Sequence, residues 1–331
     1  MNKLALFVFG LIGAFSDAQA ATTIKIATVA PDGTAWMREM RAGGDAIKAH
    51  TSDRVQIKYY PGGVMGDEPA VLRKIKIGQL QGGAFTGGEL SQLVKDAQIY
   101  SLPFLFKTQD EVDKVRVQLD PLLKKSFEQA GFEAVGISGG GFAYLMSVKD
   151  IRNKDDLKAA KVWVPQGDRI AEAGFKASGV TPIPLPLADV YTSLQTGLID
   201  TVANTPAGAI AFQWHTKLKH MVDLPLTYVV GILVIDKKTL DGLSVDDRKT
   251  VNDEIGTAFA RLEKINRDDN AQARGALEKQ GVAIFKPNAD EAKSWETVGE
   301  TARKELIGQG EITPDMSAAL TKALNQARGT P

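Results

Sequence analysis

The stretch between Ser244 and Pro287 constrains the fold more than any other part of the chain. No proline interrupts it, and Ser244 is placed to cap a helix. Val251, Ile255, Ala258, Phe259, Leu262 and Ile265 then form an apolar stripe at helical spacing. Ala273, Ala276 and Leu277 resume the stripe after "NRDDN", residues 266–270, which is polar on every face. A helix that is apolar at both ends and polar in its middle is expected to cross the gap between two lobes. The alternative is a pair of helices joined by a polar loop.

Elsewhere apolar runs alternate with helical patterns. "TIKIATVA" reads as a strand, Gly33 to Ala49 as a helix, "VQIKYY" as a strand, "DEPAVLRKIKIGQL" as a helix and "GGAF" as a strand. "FEAVGI", "FAYLMSV", "KVWVP", "TPIPLP" and "DTVAN" follow as further strands. This alternation predicts an α/β architecture with a largely parallel sheet.

Residues 1–20, "MNKLALFVFGLIGAFSDAQA", combine Lys3, an apolar run and Ala18-Gln19-Ala20, the pattern of a cleavable signal peptide. No other window approaches the about 18 uninterrupted apolar residues of a membrane span. There is no cysteine, which removes thiol nucleophiles and thiolate metal sites. Lys plus Arg and Asp plus Glu both number 40, a balance that argues against nucleic acid as a partner.

Signals for an enzyme are weak. "GISGG" places Ser138 in a G-x-S-x-G pattern, but glycines and a strand-like run follow where a nucleophile elbow needs a helix. A periplasmic serine hydrolase built on Ser138 is therefore only an alternative from another class. His50, His215 and His220 have no zinc-site spacing, and neither a phosphate-binding loop nor a dinucleotide fingerprint occurs, so no metal or cofactor is expected. What remains is a set of loops rich in glycine and aromatics at strand ends: "APDGTAW", "FTGGE", "SGGGFAY", "WVPQGD" and "ANTPAG". Loops of this kind converging between two lobes would form a cleft.

Five ordered blocks, "IKIATVAPDGTAW", "YYPGGVMGDEPAVLRKIKIGQL", "YSLPFLF", "DLKAAKVWVP" and "PLPLADVYTSLQTGLIDTVAN", resemble the DctP-type receptors of tripartite ATP-independent periplasmic (TRAP) transporters. The resemblance implies a two-lobed α/β clamp with a long helix spanning both lobes. It also implies a receptor that binds a solute in the periplasm and delivers it to a TRAP permease. A monomer is expected, with lobe I formed by residues 21–141 plus 231–268 and lobe II by 142–230 plus 269–331. A ligand sensor that reports to a membrane kinase instead of a permease is a further alternative.

In the family, an arginine in the block that here reads Lys161-Val162-Trp163-Val164-Pro165 usually grips the ligand's carboxylate through two parallel hydrogen bonds. Trp163 stands in its place, and Ala143 stands where a second family arginine often occurs. The family's asparagine is retained as Asn204. An indole offers an apolar face and one N–H donor, suited to an apolar, aromatic or cationic solute, and packing in the core is the alternative. The expected lining is Trp163, Asn204, Tyr144, Phe142, Thr86, Gly87, Trp36 and Trp214, giving a pocket more apolar than a carboxylate binder's. Arg169 is the candidate cation if the solute is an organic acid after all.

Overall fold

The computed structural model describes residues 21–329, so the expected signal peptide lies outside the described residues. The chain opens with β1 (Thr22–Thr28), α1 (Ala35–His50), β2 (Val55–Tyr60), α2 (Glu68–Lys76) and β3 (Gly82–Thr86). β1 pairs in parallel with both β2 and β3. Each helix start is fixed by its own sequence: Thr34 caps α1 by accepting from the Met37 N–H, and Asp67 caps α2 by accepting from Ala70. α3 (Gln109–Gln129) then leads into β4 (Phe132–Ser147).

β4 is one strand of 16 residues, where the sequence suggests two, "FEAVGI" and "FAYLMSV". The glycines between them continue the strand because the packing around them excludes side chains. A Cβ on Gly136 would lie 2.6 Å from the Phe259 ring, and one on Gly139 would lie 2.2 Å from the Tyr228 hydroxyl. Gly141 has φ +110°, a conformation that L side chains rarely adopt. The G-x-S-x-G pattern is thus a packing pattern.

The remaining elements are α4 (Lys154–Lys158), β5 (Trp163–Pro165), α5 (Arg169–Ala177), β6 (Ile183–Leu185), α6 (Val190–Thr196), β7 (Thr201–Asn204) and α7 (Pro206–Ala211). β8 (His220–Val222), β9 (Thr227–Asp236), α8 (Lys237–Asp241), α9 (Val245–Lys279), β10 (Ala283–Phe285), α10 (Ala289–Gly308) and α11 (Pro314–Arg328) complete the described chain. The main sheet runs β10-β8-β4-β9-β3-β1-β2, with β7 also beside β4, while β5 and β6 pair separately. It is mixed, not largely parallel: β9 lies antiparallel to both β3 and β4. Between Phe132 and Ala143, β4 pairs with β9, and from Tyr144 to Ser147 it pairs with β7. One strand therefore belongs to both halves of the molecule.

The architecture is the expected two-lobed α/β fold with a long helix along both halves. α9 has 35 residues and is capped by Ser244, whose hydroxyl accepts from the Asp247 N–H. At about 1.5 Å per residue it is about 50 Å long. Val251, Ile255 and Phe259 pack into the core under β1, and Leu277 joins a separate core with Met146, Trp163 and Val202. The polar middle is not a bare span. Asn266, only 7% exposed, donates to the Gly139 carbonyl at 2.9 Å, and Asn270 donates to the Gly140 carbonyl at 2.7 Å. Four residues apart, the two amides lie on one helix face and grip the glycine run of β4.

The same junction holds a buried charge network. Glu263 accepts from the Gly139 N–H at 3.1 Å and from Arg116 at 2.6 Å, and Arg267 reaches it at 3.1 Å. Burial pushes the Glu263 carboxyl up, but Arg116, the Gly139 N–H and Arg267 outweigh it and hold the group below the usual glutamate range.

The C-terminus departs from the expected division, which placed all of 269–331 in the second lobe. Ile312, Met316, Leu320 and Leu324 share a core with Val112, Val115, Leu119 and Leu123 of α3, so α11 packs on the first half. Apolar spacing marks α11 as amphipathic but says nothing about which core it seals.

Asn266→Ala would leave the buried Gly139 carbonyl without its donor, and should lower the unfolding free energy by about 1–3 kcal/mol. Urea denaturation checks this. An unchanged midpoint would mean that the carbonyl finds another partner.

Candidate functional site

Two cavities open between the halves and share a wall made by Thr86, Glu89, Leu187, Asn204 and Phe212. The outer one is bounded by Asp32 in the loop after β1, by Trp36 and Arg38 in the first turns of α1, and by Gln272 and Ala276 of α9. The inner one runs past Ala143 and Leu145 of β4 and Trp163 of β5 to Phe104, Phe175 and Trp295. Among the described residues, Glu89 and Asp168 are the only charged side chains lining this inner cavity.

Of the expected site residues, the structure brings Thr86, Gly87, Trp163 and Asn204 together at the inner cavity and places Trp36 at the outer one. Trp163 is wall and core at once. It is 4% exposed, its N–H donates to the Leu185 carbonyl at 3.0 Å, and its ring meets Trp214 edge-on at 5.3 Å. The indole donor is therefore already engaged within the protein. Asn204 accepts from the Thr205 N–H at 2.8 Å through its carbonyl oxygen. Its amide nitrogen has no hydrogen-bond partner among the described residues.

Gly87 has a structural reason to be glycine: a Cβ there would lie 2.3 Å from the Ala97 carbonyl oxygen. Trp36 lies against Gly231, where a Cβ would sit 2.1 Å from the indole, and takes the edge of Phe259 at 5.6 Å.

The other expected residues lie elsewhere. Phe142 and Tyr144 alternate along β4 with Ala143 and Leu145, so when the latter pair faces the cavity the former faces away. Phe142 packs edge-on to Tyr228 at 5.1 Å. Trp214 is 1% exposed and supports Phe212 by stacking at 5.5 Å without reaching either cavity. Arg169 is exposed, pairs with Glu311 at 3.1 Å and lines neither cavity. Ser138 is fully buried in β4 and its hydroxyl has no partner; His50 bonds to Glu254, His215 to the Ala209 carbonyl, and His220 lies 3.8 Å from Asp150. No base is placed to activate it.

Several lining residues carry no mark in the sequence. Glu89 belongs to the loop "FTGGE" but stands out there only as one more acid. Leu187 and Phe212 lie in apolar runs that read as core. Trp295 reaches the cavity from α10, far along the chain.

Loops from the two halves interlock at one edge of the cleft. Asp168 caps α5 by accepting from the Ala171 N–H at 2.9 Å and turns its carboxyl inward, where burial pushes its pKa up. Gly88, two residues past β3, makes room for it, since a Cβ there would lie 2.4 Å from Asp168 Oδ2. A Cβ on Gly167 would likewise lie 2.8 Å from Gln92 Nε2.

Residues 26–309 match the family described as bacterial extracellular solute-binding protein, family 7, the DctP family. The C4-dicarboxylate-binding periplasmic protein of Rhodobacter capsulatus is 24% identical over 77% of this chain and 77% of its own. The ectoine/5-hydroxyectoine-binding periplasmic protein of Ruegeria pomeroyi is 25% identical over 85% of this chain and 83% of its own. Among solved structures, a TRAP periplasmic solute binding protein from Desulfovibrio salexigens with bound orotic acid superposes with TM-score 0.85 at 18% identity, covering 92% of this chain and 99% of that one. One from Shewanella oneidensis with bound succinate gives 0.85 at 18% identity, covering 92% and 100%.

The interlocked loops yield a test. Gly88→Ala should keep the fold but hold the halves apart at that edge, seen as a larger radius of gyration in small-angle scattering. An unchanged radius would mean that Asp168 shifts aside at little cost.

Proposed function

Because the chain belongs to the DctP family of TRAP solute-binding proteins, a family of receptors and not enzymes, we propose a specific role for it within that family. It is a periplasmic receptor that closes on a small solute, hands it to a TRAP-type permease, and takes the solute's innermost part into an apolar cavity. One observation carries the reading of the cavity: its walls are mainly aliphatic and aromatic, and the two ionisable side chains among its described lining residues, Glu89 and Asp168, are both acids. A carboxylate driven into that space would lose its water and meet no cation among the described lining residues, which is unfavourable. Trp163, in the place of the family's arginine, closes off the cation that would have compensated. Neither Arg169, held by Glu311, nor Ser138, buried without a base, supports the alternatives drawn on them.

A second reading has one observation in its favour. Arg38 is the only cationic side chain among the described residues lining the outer cavity, and it donates to the Gly33 carbonyl at 2.8 Å. Several relatives are named for acids, and an acid solute held at Arg38 would leave the inner cavity for its apolar end.

A thermal-shift screen across apolar, neutral polar and dicarboxylate solutes separates the two. Saturable shifts are expected with compounds that carry an apolar end, and none with succinate. Trp163→Ala should weaken binding of any such compound by about 2–4 kcal/mol, as loss of a buried aromatic wall does. A saturable shift with succinate alone would overturn the apolar reading.

A further inference from the structure

Glu89 stands on the wall shared by both cavities, and Glu68 of α2 lies directly behind it. The two residues are 6% and 5% exposed. Glu89 accepts from the Thr86 N–H at 2.9 Å, while Glu68 Oε1 is buried with no hydrogen-bond partner. Burial first, then the negative charge of Glu68 and the hydrogen bond that the two side chains share, raise the Glu89 pKa; burial raises that of Glu68, against the same hydrogen bond. The charged groups acting on this pair are acids: each other, and Asp67. Asp168, the other acid of the inner cavity, has Glu172 as its charged neighbour.

Elsewhere this protein treats a buried carboxylate differently. Glu263, at the junction of α9 and β4, is met by two arginines, Arg116 and Arg267. At the cleft no lysine, arginine or histidine among the described residues bonds to Glu68, Glu89 or Asp168. A buried acid left without a counter-charge is unfavourable, and a cation that desolvates against it gains what the fold withholds.

We infer that the cleft selects solutes carrying a positively charged amine, which seats against Glu89 at the wall between the two cavities while the solute's apolar part fills the inner one. This rests on the proposal that these cavities are the solute site and adds the charge of the group recognised there. The sequence-level preference for an apolar or cationic solute rested on the indole of Trp163. Here the acids supply the charge, and Trp163, its N–H spent on Leu185, contributes only wall.

The test uses the full mature chain and matched triads that share one carbon skeleton: benzylammonium, benzyl alcohol and benzoate, and hexylammonium, hexanol and hexanoate. Thermal shift followed by calorimetry should show each amine binding at least about tenfold tighter than its alcohol, with the carboxylate weakest. Glu89→Gln, which keeps an acceptor for the Thr86 N–H, should erase the advantage of the amine over the alcohol. If that variant fails to fold, the wild-type triads still decide. Amines and alcohols binding alike would overturn the charge inference and leave the apolar cleft standing. Carboxylates binding best would overturn both, and amines that do not bind at all would overturn the inference as well.

Discussion

The grip of two asparagines on a run of glycines is the contact on which the rest of this molecule depends. β4 passes from one half to the other through Gly139, Gly140 and Gly141, a stretch with no side chains of its own to hold it. Asn266 and Asn270 bond to the carbonyls of Gly139 and Gly140, and Asn270 also accepts from the Ala207 N–H at the start of α7. Glu263 takes the N–H of Gly139 from the same helix. A polar segment of a long helix thereby fixes the backbone of the strand that both halves share. The glycines in turn are small enough to let Phe259, Tyr228 and Asn270 approach. Side chains of one helix bond directly to the backbone of the strand here, which gives the connection a defined geometry and suits two halves that close on a solute as proposed above.

The cleft inherits its position from that connection. Ala143 and Leu145, immediately past the glycines, are the floor of the inner cavity, and Val229 and Val230 of β9 lie beside them. The two regions then handle charge in opposite ways. At the connection the carboxylate of Glu263 is met by Arg116 and Arg267 and by the Gly139 N–H. At the cleft the acids are open to the cavity and the arginine expected from the family is a tryptophan.

Much of the frame was legible because it rests on local rules. The caps Thr34, Asp67 and Ser244 and the stripe from Val251 to Ile265 each act through neighbours within one or two turns, and β1 to β3 with their helices follow the expected order. What was not legible depends on partners distant in sequence. The glycines read as a loop because the rings and hydroxyl that exclude their side chains come from β9 and α9. The sheet is mixed because β9 returns antiparallel beside both β3 and β4, which no spacing announces. Trp163, Asn204, Thr86 and Gly87, expected from ordered motifs, line the inner cavity, whereas Phe142 and Tyr144 lie on the other face of β4. The period of two was available there, but not its phase. Glu89 was passed over because an acid in a loop ordinarily faces water, and only the structure shows Glu68 buried behind it.

The central claim is that the inner cavity, walled by Trp163 and Phe212, holds the apolar part of the solute. The most direct measurement is a crystal structure of the protein purified from its own host with the retained solute in place, identified beforehand by native mass spectrometry. The account predicts density between Trp163 and Phe212 for an apolar group, with no carboxylate inside the inner cavity. A solute lodged wholly in the outer cavity, its carboxylate paired with Arg38, would contradict it.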